Sequence, residues 1–332
     1  MFDPMDEEWW RCGADLAWWD STLSRPPAWL PDPGEARAFL TRNRTRMLRA
    51  VGLALSYRTL TCGQAHQLDG GLPAHGESGL WMAMASLGLL DLGWPQRPDG
   101  RTALTPKHAP FTAVRLPLMR DLSHDLSRDW GFTPVELASI GPTPWKASRQ
   151  ADRHNLITTQ AAIAARADGW TTAGEAWNRF QIQTGDAANR HANAGSDLAL
   201  IGERLTVCVE TTASVGRQLS EKMDRWDEQL AKPGMERTHV VWLEAGRGAG
   251  ASALHANIAR LSRDRPRHHA ARARDWLDGR LVCSDGFAPE PGRAPDPSGW
   301  MRRDMRRIGG VLRFPDADRW RLPPRLEGLW LG

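Results

Sequence analysis

Residues 195–230 read GSDLALIGERLTVCVETTASVGRQLSEKMDRWDEQL, and this stretch decides the fold. Asp197 opens an apolar run, Leu198 to Ile201. Gly202-Glu203-Arg204 is a turn signal, and a second run from Leu205 to Val209 ends at Glu210. Two apolar, partly β-branched runs around a polar turn predict a β-hairpin. From Ser214 the chain becomes polar, with Leu219, Met223, Trp226 and Leu230 at spacings of three and four, the period of an amphipathic helix. An acid thus stands at the start of one strand and a second at the end of the next, with a helix behind. Hairpin pairing brings Asp197 and Glu210 to the same end of the sheet, where two carboxylates offer hard oxygen ligands to a divalent cation.

Downstream, Thr238 to Glu244 (THVVWLE) predicts a buried strand, Ala251 to Leu261 a helix and Leu281 to Cys283 a further strand. Upstream, a helix runs through Thr159 to Arg166. The order helix, strand pair, helix, strand, helix, strand predicts an α/β sandwich around a mixed sheet over residues 151–284. Glu175, 22 positions before Asp197, is a third acid near the hairpin.

Residues 35–115 have a different rhythm. Glu35 to Leu55 predicts one long helix, Cys62 to Leu68 a short one capped by Thr61, and Glu77 to Leu87 a third. A strand from Gly88-Leu89-Leu90, a hairpin tip at 95–100 and a return from Arg101 to Leu104 follow. Three helices and a hairpin predict a winged helix-turn-helix. In such domains the third helix enters the major groove and the wing touches the backbone. His75, Ser78 and Trp81 are the third helix's candidate base-facing side chains, and Arg97 and Arg101 are the wing's candidate phosphate contacts. Residues 1–34, with Trp9, Trp10, Trp18, Trp19 and Trp29 among prolines, read as a tryptophan-rich arm. Residues 116–150 read as a linker, and 285–332 as a basic tail containing Met301 to Arg307 (MRRDMRR).

The 332 residues are enough for about two domains, and 41% hydrophobic with 25% charged residues is ordinary for a globular chain. Runs of the roughly 20 apolar residues of a membrane span are absent, and the acidic N-terminus lacks a signal-peptide pattern, so a cytoplasmic protein without membrane contact is expected. Cys12, Cys62, Cys208 and Cys283 are scattered and predict reduced thiols. The net charge of +4 is compatible with nucleic acid. Lysine occurs only at Lys107, Lys146, Lys222 and Lys232, so the positive charge is nearly all arginine. A basic run from Arg263 to Arg274 includes the adjacent His268 and His269.

Asp197, the hairpin, Glu210 and the helix behind it resemble the restriction-endonuclease-like PD-(D/E)xK superfamily, with Thr212 where that pattern has lysine. The resemblance implies a site holding Mg2+ or Mn2+ through Asp197, Glu210 and Glu175. Lys222, on the following helix, is the candidate to supply the missing cation beside the attacking water. A winged helix, then Arg153-His154-Asn155, Trp170…Glu175, Ser196-Asp197 and Val209-Glu210 resembles, over roughly residues 37–245, the replication-relaxation family of actinobacterial plasmids and integrative elements. It implies a protein that binds double-stranded DNA in replication or mobilisation of a mobile element. Three expectations follow: a DNA-binding protein with a degenerate nuclease-like domain, favoured because Thr212 replaces the lysine; a magnesium-dependent DNA endonuclease; or an adaptor docking replication or transfer factors. A homodimer or such a protein is the expected further partner.

Overall fold

The computed structural model describes residues 2–292 apart from 23, 97–104, 119, 142–144, 146–150, 185–188, 190, 192–193 and 215–216. Arg97, Arg101 and most of the basic tail therefore lie outside the described residues. The chain is mixed α/β and divides into two compact units, with the boundary between Thr159 and Gln160. Among the described residues no helix is long and apolar enough to cross a membrane.

The first unit contains β1 (Ala17–Trp19), α1 (Pro33–Arg42), α2 (Arg44–Tyr57), β2 (Thr59–Thr61), α3 (Cys62–Leu68), α4 (Gly79–Ser86), β3 (Asp91–Trp94), β4 (Ala113–Arg115), α5 (Leu122–Trp130), α6 (Pro134–Ala138) and the start of α7 (Asp152–Ala167). Its sheet has the order β1-β3-β4-β2, and every pair is antiparallel. The expected single helix over 35–55 is two. Asn43 ends α1 and precedes α2 with φ −113° and ψ 27°, and its side-chain amide donates to Phe39 O at 3.0 Å, a local bond that competes with continuing the helix. The start of α3 is as expected: Thr61 Oγ1 accepts from Gln64 N, and the Gln64 side chain returns the bond to Thr61 N, a reciprocal capping box.

Residues 1–34, expected as an arm, pack into this unit. Trp10 is fully buried, and β1 adds an edge strand by pairing Ala17 with Trp94 and Trp19 with Leu92. Asp152 fastens the segment: its Oδ2 accepts from Leu16 N at 2.8 Å and Trp18 Nε1 at 2.7 Å, and its Oδ1 accepts from Thr59 Oγ1 at 3.1 Å. Gly93 is required beneath Trp18, because a Cβ there would meet the indole ring at 2.8 Å. The expected linker over 116–150 also carries core residues: Leu122, Leu126, Phe132, Leu137 and Ile140 are buried. The proline-rich spacing hid apolar positions that α5 and α6 bring inward.

The second unit contains the rest of α7, then β5 (Thr171–Gly174), α8 (Phe180–Thr184), β6 (Leu198–Ile201), β7 (Thr206–Thr212), α9 (Arg217–Leu230), β8 (Thr238–Glu244), α10 (Gly250–Ser262), β9 (His268–Arg272) and α11 (Ala273–Leu277). The sheet order is β5-β6-β7-β8-β9. β5, β6 and β7 form an antiparallel meander, while β8 and β9 join in parallel through the crossover helices α9 and α10. Two expectations are corrected here. The strand pair is a three-strand meander, because the short Thr171–Gly174 segment, too brief to show a period, pairs with β6. The last strand is His268–Arg272, whose small Ala270 and Ala271 fit against the core, whereas 281–283 lies outside any strand. On one side of the sheet Met223, Trp226, Leu230, Val240, Trp242 and Ile258 make a single apolar cluster. At roughly 25 cal/mol per Å2 of apolar surface removed from water, such burial dominates folding. Among the cysteines Cys12 is exposed, and Cys62, Cys208 and Cys283 are buried thiols.

Candidate functional site

Strand register places the three candidate acids in one row. Gly174 faces Leu198 across the β5–β6 pair, and Leu198 faces Val209 across the β6–β7 pair. One step beyond those pairs stand Glu175, Asp197 and Glu210. Glu175 begins a 3-10 turn, Glu175–Trp177, directly after β5. Asp197 precedes β6, and its Oδ2 accepts from Thr211 N at 2.8 Å. That bond ties the entry of β6 to the end of β7. Gly195 makes this entry possible: a Cβ there would lie 1.9 Å from Asn178 O.

Glu210 is the centre of the row and is fully buried. Its Oε1 accepts the indole N–H of Trp226 at 2.6 Å, and its Oε2 is paired with Lys222 Nζ at 2.5 Å. Lys222 and Trp226 are four residues apart, so both lie on the face of α9 that packs on β7. Glu210 and Thr212 share a face of β7 by strand alternation, so Lys222 delivers its ammonium to the face where Thr212 leaves none. The Lys222 side chain is 36% exposed, while its ammonium reaches inward to the buried Glu210.

The electrostatics follow from this packing. Burial pushes the Glu210 carboxyl well above the ordinary glutamate range; Lys222 pulls it back, and Asp197 adds to the rise. For Lys222 burial acts downward, but the carboxylates of Glu210, Asp197 and Glu175 outweigh it and hold the ammonium above its usual value. Lys222 is therefore a cation held by the acidic row.

A divalent ion is what the sequence pattern implies, and the donors were tested against it. Glu210 has one oxygen committed to an indole N–H and the other to an ammonium, and one oxygen of Asp197 is committed to the backbone. A metal at Glu210 would have to displace Lys222, whose single charge offsets one carboxylate of the row. Among the described residues no three His, Cys, Asp or Glu side chains are grouped to hold a metal ion. As arranged, the Lys222 ammonium stands at Glu210 Oε2, the oxygen a divalent metal would take.

The other candidate residues separate from this site. Trp81, expected to face DNA, is fully buried in the first unit and donates its Nε1 proton to Pro73 O at 2.9 Å; it is a core residue, because the first turn of α4 points inward. Ser78, partly buried, precedes α4 and makes no side-chain cap bond, and its hydroxyl is buried without a partner among the described residues. His75 is exposed.

Sequence reasoning took Trp226 only as an apolar position, although its spacing of four from Lys222 was visible. It also missed a second polar cluster at β8 and β9. There His239 Nδ1 and His269 Nε2 are 3.0 Å apart, and His269 Nδ1 meets Asp285 Oδ2 at 2.7 Å. Phe287 stacks on both rings, at 3.8 Å from His269 and 4.8 Å from His239. His268 accepts the Trp242 Nε1 proton on Nδ1 at 3.0 Å, which places the His268 proton on Nε2, 3.1 Å from Asp227 Oδ1. The signal was the His268-His269 pair, but its partners are distant in sequence.

No family model, curated protein sequence or solved structure matches this chain.

Proposed function

We propose that the chain is a DNA-binding protein whose second unit is nuclease-like in design and whose acidic row is held by an internal cation in place of a metal. The observation that carries this reading is the row Glu175, Asp197 and Glu210 with the Lys222 ammonium closed on Glu210 Oε2 at 2.5 Å. An acid before β6, an acid near the end of β7 and a helix behind them is the arrangement the PD-(D/E)xK resemblance calls for. The occupied donors of Glu210 favour the degenerate form. In the first unit, α2, α3 and α4 followed by the antiparallel β3 and β4 support a winged helix. Replication or mobilisation of a plasmid or integrative element is the setting this combination suits. The adaptor reading, which docks factors through the arm and the winged helix, is less favoured because Trp10 is buried and β1 is paired.

The test is duplex binding by fluorescence anisotropy across a salt series, with plasmid cleavage assayed in parallel in Mg2+ and Mn2+. Binding is expected to weaken steeply, by about one log unit per log unit of salt for each phosphate neutralised. Arg97→Ala with Arg101→Ala should reduce that slope by ~2. Cleavage by the wild-type protein that Asp197→Ala abolishes would establish the endonuclease reading instead. Binding indifferent to salt would remove DNA from the function.

A further inference from the structure

The loop between α10 and β9 reads Arg263-Asp264-Arg265-Pro266-Arg267. Its three arginines, with Ser262, His268, His269, Ser284 and Asp285, line a half-open cleft of about 470 Å3 in the second unit, within the ~300–1,000 Å3 range of small-molecule sites. The loop is fixed from several sides. Arg265 pairs with Asp224 Oδ1 at 2.5 Å and with Asp227, both on α9. Arg267 donates to Met235 O at 2.6 Å and to Leu230 O, at the end of α9, at 2.8 Å. Those bonds hold Arg267 at φ 69°, a backbone region that a non-glycine residue keeps only when its surroundings impose it.

Two donors at this cleft are unspent. Arg263 is exposed and forms no ion pair or hydrogen bond among the described residues. Ser262 is 6% exposed, and its hydroxyl has no partner among the described residues, an expensive state for a buried polar group unless a ligand completes it. The one carboxylate in the lining is committed: Asp285 takes the His269 Nδ1 proton at 2.7 Å on Oδ2 and Phe287 N at 3.1 Å on Oδ1. Of the three guanidinium groups in the lining, Arg265 is offset by Asp224 and Asp227, which leaves Arg263 and Arg267 as charges without an ion pair among the described residues. His268 registers that field: burial first, then the charges of Arg265, His269 and Arg267, lower its pKa to about 3.

We propose that this cleft binds a phosphoryl group, with Ser262 Oγ and the Arg263 guanidinium as its direct donors and Arg267, fixed by backbone carbonyls, as a neighbouring charge. Guanidinium suits the tetrahedral oxyanion because its planar fork can donate two parallel bonds. The volume leaves room for a nucleoside beside the phosphate. The site is separate from the acidic row and does not depend on the DNA-binding reading above. Free phosphate esters and the terminal phosphate of a nucleic acid share this chemistry.

The full-length protein should be titrated with inorganic phosphate and a deoxynucleoside 5′-monophosphate at constant ionic strength set with chloride, followed by 31P line broadening and by calorimetry. Oligonucleotides differing only in a 5′-phosphate or 5′-hydroxyl are compared alongside. Binding of phosphate or the monophosphate is expected. Arg263→Ala should weaken it by about tenfold, the loss of one charge-assisted hydrogen bond, and Ser262→Ala should weaken it by a smaller factor. Both substitutions are small and should leave the melting temperature of the unliganded protein unchanged. Preference for the 5′-phosphorylated oligonucleotide over the monophosphate would assign the site to nucleic-acid ends; the reverse order would assign it to free esters. Absence of binding at millimolar concentration, or equal affinity in wild type, Arg263→Ala and Ser262→Ala, would overturn the proposal.

Discussion

Lys222 shows how one side chain decides the character of a site. It supplies the only ammonium facing Glu210 among the described residues, and Glu210 cannot reach water. Replacing Lys222 by Met should therefore leave a buried carboxylate with only the Trp226 indole to satisfy it. Breaking a fully buried pair costs about 3–5 kcal/mol; with Lys222 one-third exposed, we expect on the order of 2 kcal/mol near pH 8. The pH dependence has a definite sign. Glu210 is raised in the folded protein, so its contribution to stability is complete below the unfolded value of about 4.3 and is lost as pH rises through its raised value. Removing Lys222 raises it further. The deficit of Lys222→Met should be large at pH 8, should shrink towards pH 4.5, and should be relieved by adding Glu210→Gln. A denaturant series at the two pH values measures this, and an equal deficit at both would refute the assignment. Gly195 offers a second test at this scale. Gly195→Ala forces a Cβ against Asn178 O at 1.9 Å, backbone that cannot easily yield, and should cost about 1–3 kcal/mol or more.

At the scale of elements, α9 serves two neighbours. Lys222 and Trp226 turn to Glu210, while Asp224 and Asp227 turn to Arg265 and His268. The sequence showed the helix and its apolar stripe, and it showed the two acids flanking the hairpin, because period and turn chemistry are local. It did not show β5 or the true position of β9. Thr171–Gly174 is too short for a period, and His268–Arg272 has no β-branched residue; both are strands because partners hold them. The same limit applies to residues 1–34, where prolines suggested a boundary and pairing with β3 made an edge strand. Deleting 1–34 should therefore uncover Ala113 and Leu156, which pack against Trp10 and Leu16. A loss of at least ~3–5 kcal/mol, the scale of removing one buried tryptophan, and a broadened near-ultraviolet melt are expected. An unchanged cooperative melt would show the segment to be dispensable.

For the whole molecule, buried ionisable groups set opposing responses to acid. His239 and His255 are lowered chiefly by burial, and His268 falls to about 3. Groups lowered in this way stabilise the fold above about pH 6.5 and lose that contribution as pH falls through their folded values. Asp91, Asp152 and Asp227 are raised chiefly by burial and act in the opposite sense, becoming less costly as they protonate. Glu210, raised to about 7, gains stability over the same range, but the three histidines outnumber it, so stability should begin to decline below about pH 6.5, and His268→Gln should flatten that decline. Denaturation midpoints between pH 7 and 4 would decide; a wild-type profile that rises throughout would show the carboxylates to dominate.

The distribution of the thiols has a practical consequence. Cys12 is exposed, Cys62 lies at the start of α3 in the first unit, and Cys208 and Cys283 lie in the second. Burial raises Cys208 to about 12 and raises Cys62 and Cys283 as well, so these three are silent towards alkylating reagents until their surroundings open. After Cys12 is blocked, brief alkylation during a denaturant ramp followed by peptide mass mapping becomes a clock for each unit. Cys62 times the opening of the first, and Cys208, two residues before Glu210 on β7, times the strand that carries the acidic row.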